Sequence, residues 1–136
     1  MPTDSQKLAQ SVVRLSRRLR QERHSDLTAT QLSVLGALRT KGPLSPSAIA
    51  AHERVQPPSM TRTINCLDEA GLVNRDQHPD DGRQIIVSIS DKGEEVLATE
   101  RARRDQWIAR RFAELSTAER KILRDATAVL DTLTAS

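Results

Sequence analysis

The fold is decided by residues 55–71, which read Val-Gln-Pro-Pro-Ser-Met-Thr-Arg-Thr-Ile-Asn-Cys-Leu-Asp-Glu-Ala-Gly. Pro57 and Pro58 predict a helix start, because proline lacks an N–H and fits the first helical turn, where that group has no intrahelical partner. Gly71 predicts the helix end, because glycine readily adopts the left-handed conformation that follows a helix. The stretch therefore predicts one helix of about four turns.

This predicted helix has one apolar and one polar face. Met60, Ile64 and Leu67 recur at spacings of four and three, which places them on one buried stripe. The opposite face carries mainly short hydrogen-bonding groups and one arginine: Pro58, Ser59, Arg62, Asn65, Cys66 and Glu69. Such groups near a helix N-terminus suit phosphates and base edges, since Asn and Arg pair bidentately with adenine and guanine. The pattern indicates a recognition helix, with an ordinary amphipathic helix as the alternative.

The whole chain has the length of one domain and a weakly basic composition. It has 136 residues, with 21 Lys and Arg against 18 Asp and Glu and a net charge of +3. The excess lies in residues 1–27, with six basic and three acidic residues, whereas residues 28–90 carry six of each and residues 91–136 nine of each. A DNA surface must then depend on a few well-placed arginines. The near absence of aromatic residues argues against a stacking platform for RNA or single strands, so duplex DNA is the better nucleic-acid partner.

Composition also limits location and chemistry. The chain has no apolar run of about 18 residues and no apolar N-terminal signal region, which predicts a cytoplasmic protein without a membrane partner. Cys66 is the only cysteine, so an intrachain disulfide and a cysteine-based zinc site are excluded. His24, His52 and His78 lack metal-ligand spacing, and no catalytic triad or phosphate-binding glycine loop is found. We expect neither an enzyme nor a bound metal or cofactor.

Two helices are predicted near the start of the chain. An apolar repeat at spacings of four and three marks a helix over residues 5–22. Its arginines fit a phosphate-facing surface or a solvated face, and the solvated face is favoured. Thr28 and Gln31 form a capping-box pattern that starts a second helix over residues 29–40.

A helix-turn-helix arrangement follows from the next start signal. Ser45-Pro46 supplies an N-cap hydroxyl and a first-turn proline for a short third helix that ends near Glu53. Only three residues separate it from the helix that Pro57 begins. In this arrangement the first helix braces the DNA backbone and the second enters the major groove.

After the recognition helix the apolar pattern changes to a two-residue period, which predicts β-strands. Leu72-Val73 begins one strand and residues 85–89 form the other, while the turn formers of residues 76–83 predict a hairpin with a mobile tip. A hairpin in this position is a wing. Arg83 at its tip suits insertion into a narrow minor groove, with Asp81 holding the guanidinium in line. A surface ion pair of little energetic value is the alternative.

Two further helices are predicted after the hairpin. Ser90 caps the first, and Ser116 with Glu119 forms a capping box for the second. A winged helix-turn-helix is compact by itself, so the apolar stripes at both ends of the chain have no partner within one subunit, and we expect a symmetric homodimer. The predicted fold is a mainly α single domain with three parts: residues 28–90 as the winged helix-turn-helix with its β-hairpin wing, and residues 1–27 and 91–136 as dimerisation helices.

Taken together, these motifs resemble the MarR family of bacterial winged helix-turn-helix regulators, over essentially the whole chain. The most specific part is Asp81-Gly82-Arg83 followed by Val87 to Gly93, which is similar to the family's Asp-x-Arg wing and Leu-Thr-x-x-Gly motif, with Ile89-Ser90 in place of Leu-Thr. Residues 60–67 and 71–73 resemble the family's recognition helix and its exit into the wing.

The resemblance implies a homodimeric transcriptional regulator, usually a repressor, that binds pseudo-palindromic operators in double-stranded DNA and is released by a small-molecule effector or by oxidation. Half-sites are expected about one helical turn apart, roughly 10 base pairs. A winged-helix module that binds protein without an operator is the alternative, consistent with the neutral charge of residues 28–90. The implied contacts are to the major groove by Ser59, Thr61, Arg62 and Asn65 beside Pro58, to the minor groove by Arg83 oriented by Asp81, and to phosphates by Ser45 and Ser47.

Overall fold

The computed structural model describes residues 1–23 and 25–135, and within them the chain forms six α-helices and one β-hairpin. The predicted mainly α fold with a small hairpin is confirmed. His24, one of the scattered histidines, lies outside the described residues. In chain order the elements are α1 (Asp4–Gln21), α2 (Ala29–Lys41), α3 (Pro46–Glu53), α4 (Pro57–Glu69), β1 (Val73–Gln77), β2 (Ile85–Ile89), α5 (Asp91–Ala113) and α6 (Thr117–Thr134).

Most helices begin and end where the sequence signals predict. Thr28 and Ser116 are N-caps with complete capping boxes, and each hydroxyl accepts a hydrogen bond from the backbone N–H three residues on. Gly71, just after α4, has φ of 76°, the left-handed conformation expected of it. Thr3 also caps α1 through a capping box with Gln6, which the sequence reasoning did not identify.

The chain forms two compact units, which we call the terminal unit (Met1–Glu22 with Arg103–Ser136) and the central unit (Arg23–Ala102). The central unit holds the core, which α2, α3, α4 and the hairpin enclose. Met60, Ile64 and Leu67 are 1%, 2% and 0% exposed, as predicted. Each such side chain contributes about 1.5 to 3 kcal/mol by leaving water.

The wing is an antiparallel pair in which Val73 lies opposite Ile89 and Gln77 opposite Ile85. On the other side of β2, Leu44 forms a bridge with Val87, through N–H to carbonyl bonds of 3.0 and 2.8 Å. β1 is longer than predicted. Residues 76 and 77 were expected in the turn, but they lie opposite Ile86 and Ile85 of β2. The antiparallel hydrogen-bond ladder therefore extends to the residues next to the turn.

The terminal unit consists of α1, the second half of α5 and α6, and it has little core of its own. Trp107 is its buried anchor, with the guanidinium carbons of Arg18 and Arg111 lying 4.7 and 5.8 Å from the ring centroid. No described residue of α1 or α6 is buried. Within residues 1–23 and 25–135, no helix is both long and apolar enough to cross a membrane. The exposed large apolar side chains of the two helices are Leu8, Val12, Val13, Leu15, Ile122, Leu123, Val129, Leu130 and Leu133.

Candidate nucleic-acid interface

The α3–α4 pair begins with two adjacent hydroxyls. Ser45 is the N-cap of α3, and its Oγ accepts a hydrogen bond from the Ala48 N–H at 3.2 Å. The hydroxyl oxygens of Ser45 and Ser47 lie 3.2 Å apart. Both hydroxyls are therefore held together beside the first turn of α3, where a helix favours an anion.

The turn between α3 and α4 depends on a residue that the sequence analysis did not single out. Arg54 has φ of 54° and ψ of 44°, and its N–H donates to the carbonyls of Ala50 and Ala51. This left-handed conformation ends α3 and reverses the chain within three residues. The arginine at this position does not predict a left-handed turn from the sequence, because residues other than glycine rarely adopt a positive φ.

The exposed face of α4 carries the side chains predicted to contact the major groove. Pro58, Arg62 and Asn65 are exposed, and Ser59 is half-buried. Arg62 Nη2 donates to Ser59 Oγ at 3.3 Å, so these two side chains lie side by side. Thr61 Oγ1 donates to the Pro57 carbonyl at 3.0 Å, which uses its hydrogen and leaves its lone pairs and methyl group for a partner.

Asn65 is paired with a residue that sequence reasoning missed. Arg75 of β1 donates through Nη2 to Asn65 Oδ1, and its Nε lies 3.7 Å from Oδ2 of Asp68. The strand period offered a signal, since Val73 is buried against the core and Arg75, two residues on, shares its face of the strand. The helix α4 and the wing are thus joined through Arg75.

The wing tip is closed by its own hydrogen bonds. The His78 N–H donates to the Gln84 carbonyl at 2.9 Å, and the Gln84 N–H donates to the Asp81 carbonyl at 3.0 Å. Arg83 is exposed, and its main-chain N–H donates to Oδ1 of Asp81 at 3.0 Å. Among the described residues no ion pair joins these two side chains. Asp81 therefore fixes the backbone of the turn, whereas the sequence predicted that it orients the Arg83 guanidinium.

The Ile89–Gly93 segment holds the wing and the end of α4 in place. The Ser90 hydroxyl donates to the Gly71 carbonyl at 2.7 Å and accepts from the Gly93 N–H at 3.0 Å. Lys92 Nζ donates to the Ala70 carbonyl at 3.0 Å. The bonds from Ser90 and Lys92 satisfy the carbonyls of Gly71 and Ala70 after α4. The Ser90 hydroxyl also caps α5 by accepting from the Gly93 N–H, as predicted from the sequence.

The surface formed by α4 and the wing is not a broad basic face. Residues 57–89 contain three arginines and five carboxylates. Within residues 1–23 and 25–135, no group of three or more His, Cys, Asp or Glu side chains could hold a metal ion. Any interaction with DNA must depend on where Arg62, Arg75 and Arg83 lie rather than on net charge.

The short α3, the tight turn, α4 and the arginine-tipped hairpin define a winged helix-turn-helix protein. Residues 27–85 match the MarR family. Over 120 residues the chain is 47% identical to an uncharacterized HTH-type transcriptional regulator of Mycobacterium bovis, covering 88% of this chain and 84% of that protein. The chain belongs to the MarR family of transcriptional regulators, which is not an enzyme class.

Two further comparisons agree with this assignment. The HTH-type transcriptional repressor MdtR of Bacillus subtilis is 36% identical over 80 residues, which cover 56% of this chain and 52% of that protein. A crystal structure of a protein from Pseudomonas aeruginosa, classed as a transcriptional regulator, matches with a TM-score of 0.86 and 33% identity over 98% of both chains. The fold and the sequence point to the same family.

Proposed function

We propose that this chain is a cytoplasmic transcriptional repressor that binds a pseudo-palindromic operator in double-stranded DNA as a homodimer. The observation that carries the proposal is the exposed polar face of α4 beside a hairpin with an exposed arginine at its tip, both within the central unit. Repression is supported by similarity to MdtR, which is itself described as a repressor. Regulation of transcription by binding a duplex requires no metal or cofactor.

The proposed contacts follow the geometry of the central unit. Short polar groups of α4 reach base edges in the major groove, and Arg83 enters the adjacent minor groove on a turn that Asp81 fixes. Phosphate contacts position the protein, and base contacts specify the sequence. The residues assigned to the major groove are Pro58, Ser59, Thr61, Arg62 and Asn65, and those assigned to phosphates are Ser45 and Ser47.

Homodimerisation is supported by the apolar side chains of the terminal unit. Ile122, Val129 and Leu133 of α6 are 65%, 63% and 64% exposed and share one face of the helix. Exposed apolar patches of this kind are typical of a surface that binds a partner. A second copy of the chain supplies an identical face, and a two-fold pair of subunits matches a pseudo-palindromic site.

Footprinting and sedimentation on the same protein test this proposal. We expect a dimer that protects two half-sites, about 10 base pairs apart, in the chromosomal region upstream of its own gene. A dimer without any preferred duplex would instead favour the protein-binding module. A single asymmetric protected site would contradict two-fold recognition. Release by a small-molecule effector, which the family resemblance implies, stays a prediction.

A further inference from the structure

Arg75 determines which atoms of Asn65 remain available on the recognition helix. A guanidinium has only N–H donors, so the amide atom facing Arg75 Nη2 must be the oxygen Oδ1. The orientation of this amide is therefore fixed by chemistry. No other described residue bonds to Nδ2, which leaves the NH2 group of Asn65 as its exposed hydrogen-bonding group.

We propose that Arg75 is a specificity-determining residue that turns Asn65 into a hydrogen-bond donor directed at guanine. This assignment rests on the proposed DNA-binding function and adds the base class that one side chain reads. Guanine presents two acceptors, O6 and N7, in the major groove. An exposed NH2 group beside a positive guanidinium complements that edge.

Adenine, the usual bidentate partner of asparagine, fits this arrangement poorly. Pairing with adenine requires Oδ1 to accept from the N6 amino group while Nδ2 donates to N7. Arg75 occupies one lone pair of Oδ1, and its positively charged guanidinium lies next to that oxygen. The amino group of adenine is also a donor, so it would have to share Oδ1 with a positively charged donor group, which disfavours this pair.

The ion pair with Asp68 orients Arg75 without contributing much to stability. The two side chains are 33% and 44% exposed and their nearest charged atoms lie 3.7 Å apart. Ion pairs exposed to this degree contribute little to the free energy of unfolding. Removal of Arg75 should therefore change base preference more than folding, which separates a positioning role from a structural one.

Selection of bound duplexes from a randomised library measures this preference. Asn65→Ala locates the base pair, because it should lower preference at one position of each half-site about tenfold. At that position the wild type should enrich guanine, and Arg75→Met should lose this preference by about tenfold while adenine rises. Other positions should be unchanged. Arg39→Met is the matched control, because Arg39 makes an ion pair of the same length, 3.7 Å, with Glu94 and has no bond to α4.

Several results would overturn the assignment while operator binding stands. They are enrichment of adenine at the Asn65 position by the wild type, an unchanged profile in Asn65→Ala, or an equal loss of affinity for all sequences in Arg75→Met. If the wild type enriches no duplex, the proposed function fails and this assignment fails with it. Should Arg75→Met not fold, Arg75→Thr decides, because threonine favours a strand but is too short to reach Asn65; retained guanine preference in that variant would overturn the proposal.

Discussion

Gly93 packs so closely against the main chain of Leu72 that a Cβ atom at position 93 would lie 2.2 Å from the Leu72 carbonyl oxygen. The same atom would lie 2.9 Å from Cγ1 of Ile89. The first turn of α5 therefore lies directly against the entry of β1, a distance that only glycine allows. This contact gives the glycine of the family motif a physical role, since it fixes the wing relative to α5.

Gly93→Ala should lower the free energy of unfolding by about 1 to 3 kcal/mol, because the obstructing atom belongs to the backbone and the helix must shift. Denaturant unfolding measures the change. Gly82→Ala is the control, since the nearest atom to its added Cβ is the Gln77 Oε1 at 3.9 Å. Equal stability of the two variants would contradict the close approach.

Val129→Asp should dissociate the proposed homodimer, because it would bury an unpaired carboxylate in the interface between the two copies. We expect the dimer dissociation constant to rise about a hundredfold or more. Ala128→Asp introduces the same charge one residue away, and the rotation of about 100° per residue turns it away from the stripe formed by Ile122, Val129 and Leu133. Sedimentation equilibrium should show dissociation in the first variant alone; a dimer in both would remove α6 from the interface.

Arg83→Ala should weaken operator binding by about 1 to 3 kcal/mol while the dimer persists. Unchanged binding would remove Arg83 from the interface.

Asp81→Asn retains an oxygen that accepts from the Arg83 N–H and should bind the operator nearly as well as the wild type, whereas Asp81→Ala should bind it more weakly. Equal losses in the two Asp81 variants would mean that the negative charge, rather than the turn hydrogen bond, is what matters.

Glu119 provides a pH-dependent contribution at the start of α6. Hydrogen bonds from the Ser116 N–H and then the Ser116 side chain lower the pKa of the Glu119 carboxyl. Since the folded pKa lies below the unfolded pKa of about 4.5, the stabilisation is present above that value and is lost as pH falls through the folded pKa. In an NMR titration the pKa of Glu119 should rise in Ser116→Ala and stay unchanged in Thr127→Ala, whose hydroxyl bonds to the Leu123 carbonyl. No rise in the first variant would contradict the side-chain contribution.

Local signals explain which parts of the fold were predictable from the sequence. Pro57 and Gly71 fix the limits of α4 because each residue restricts or permits a particular backbone conformation on its own. Arg54 carries no such signal, since a positive φ is rare for residues other than glycine. Capping boxes depend on residues three apart, so they too can be read from the sequence.

The candidate site was only partly predictable, because some of its contacts join residues that belong to different elements. The exposed residues of α4 follow from helical periodicity, whereas the bond between Asn65 and Arg75 joins two elements across ten residues of sequence. The strand alternation places Arg75 on the correct face but does not identify its partner. Asp81 was assigned to the guanidinium of Arg83, yet a short turn brings its carboxylate to the main-chain N–H instead.

The central claim is that two copies of this chain read a specific duplex through α4 and the wing. A salt-dependent titration of the wild-type protein against its own upstream DNA and a scrambled duplex of equal length tests this most directly. If Arg62 and Arg83 of each subunit together neutralise two phosphate charges, the logarithm of the affinity should fall with the logarithm of the salt concentration with a slope of about −4, and the upstream duplex should bind more tightly throughout. Equal affinity for the two duplexes, or a slope near zero, would contradict the account.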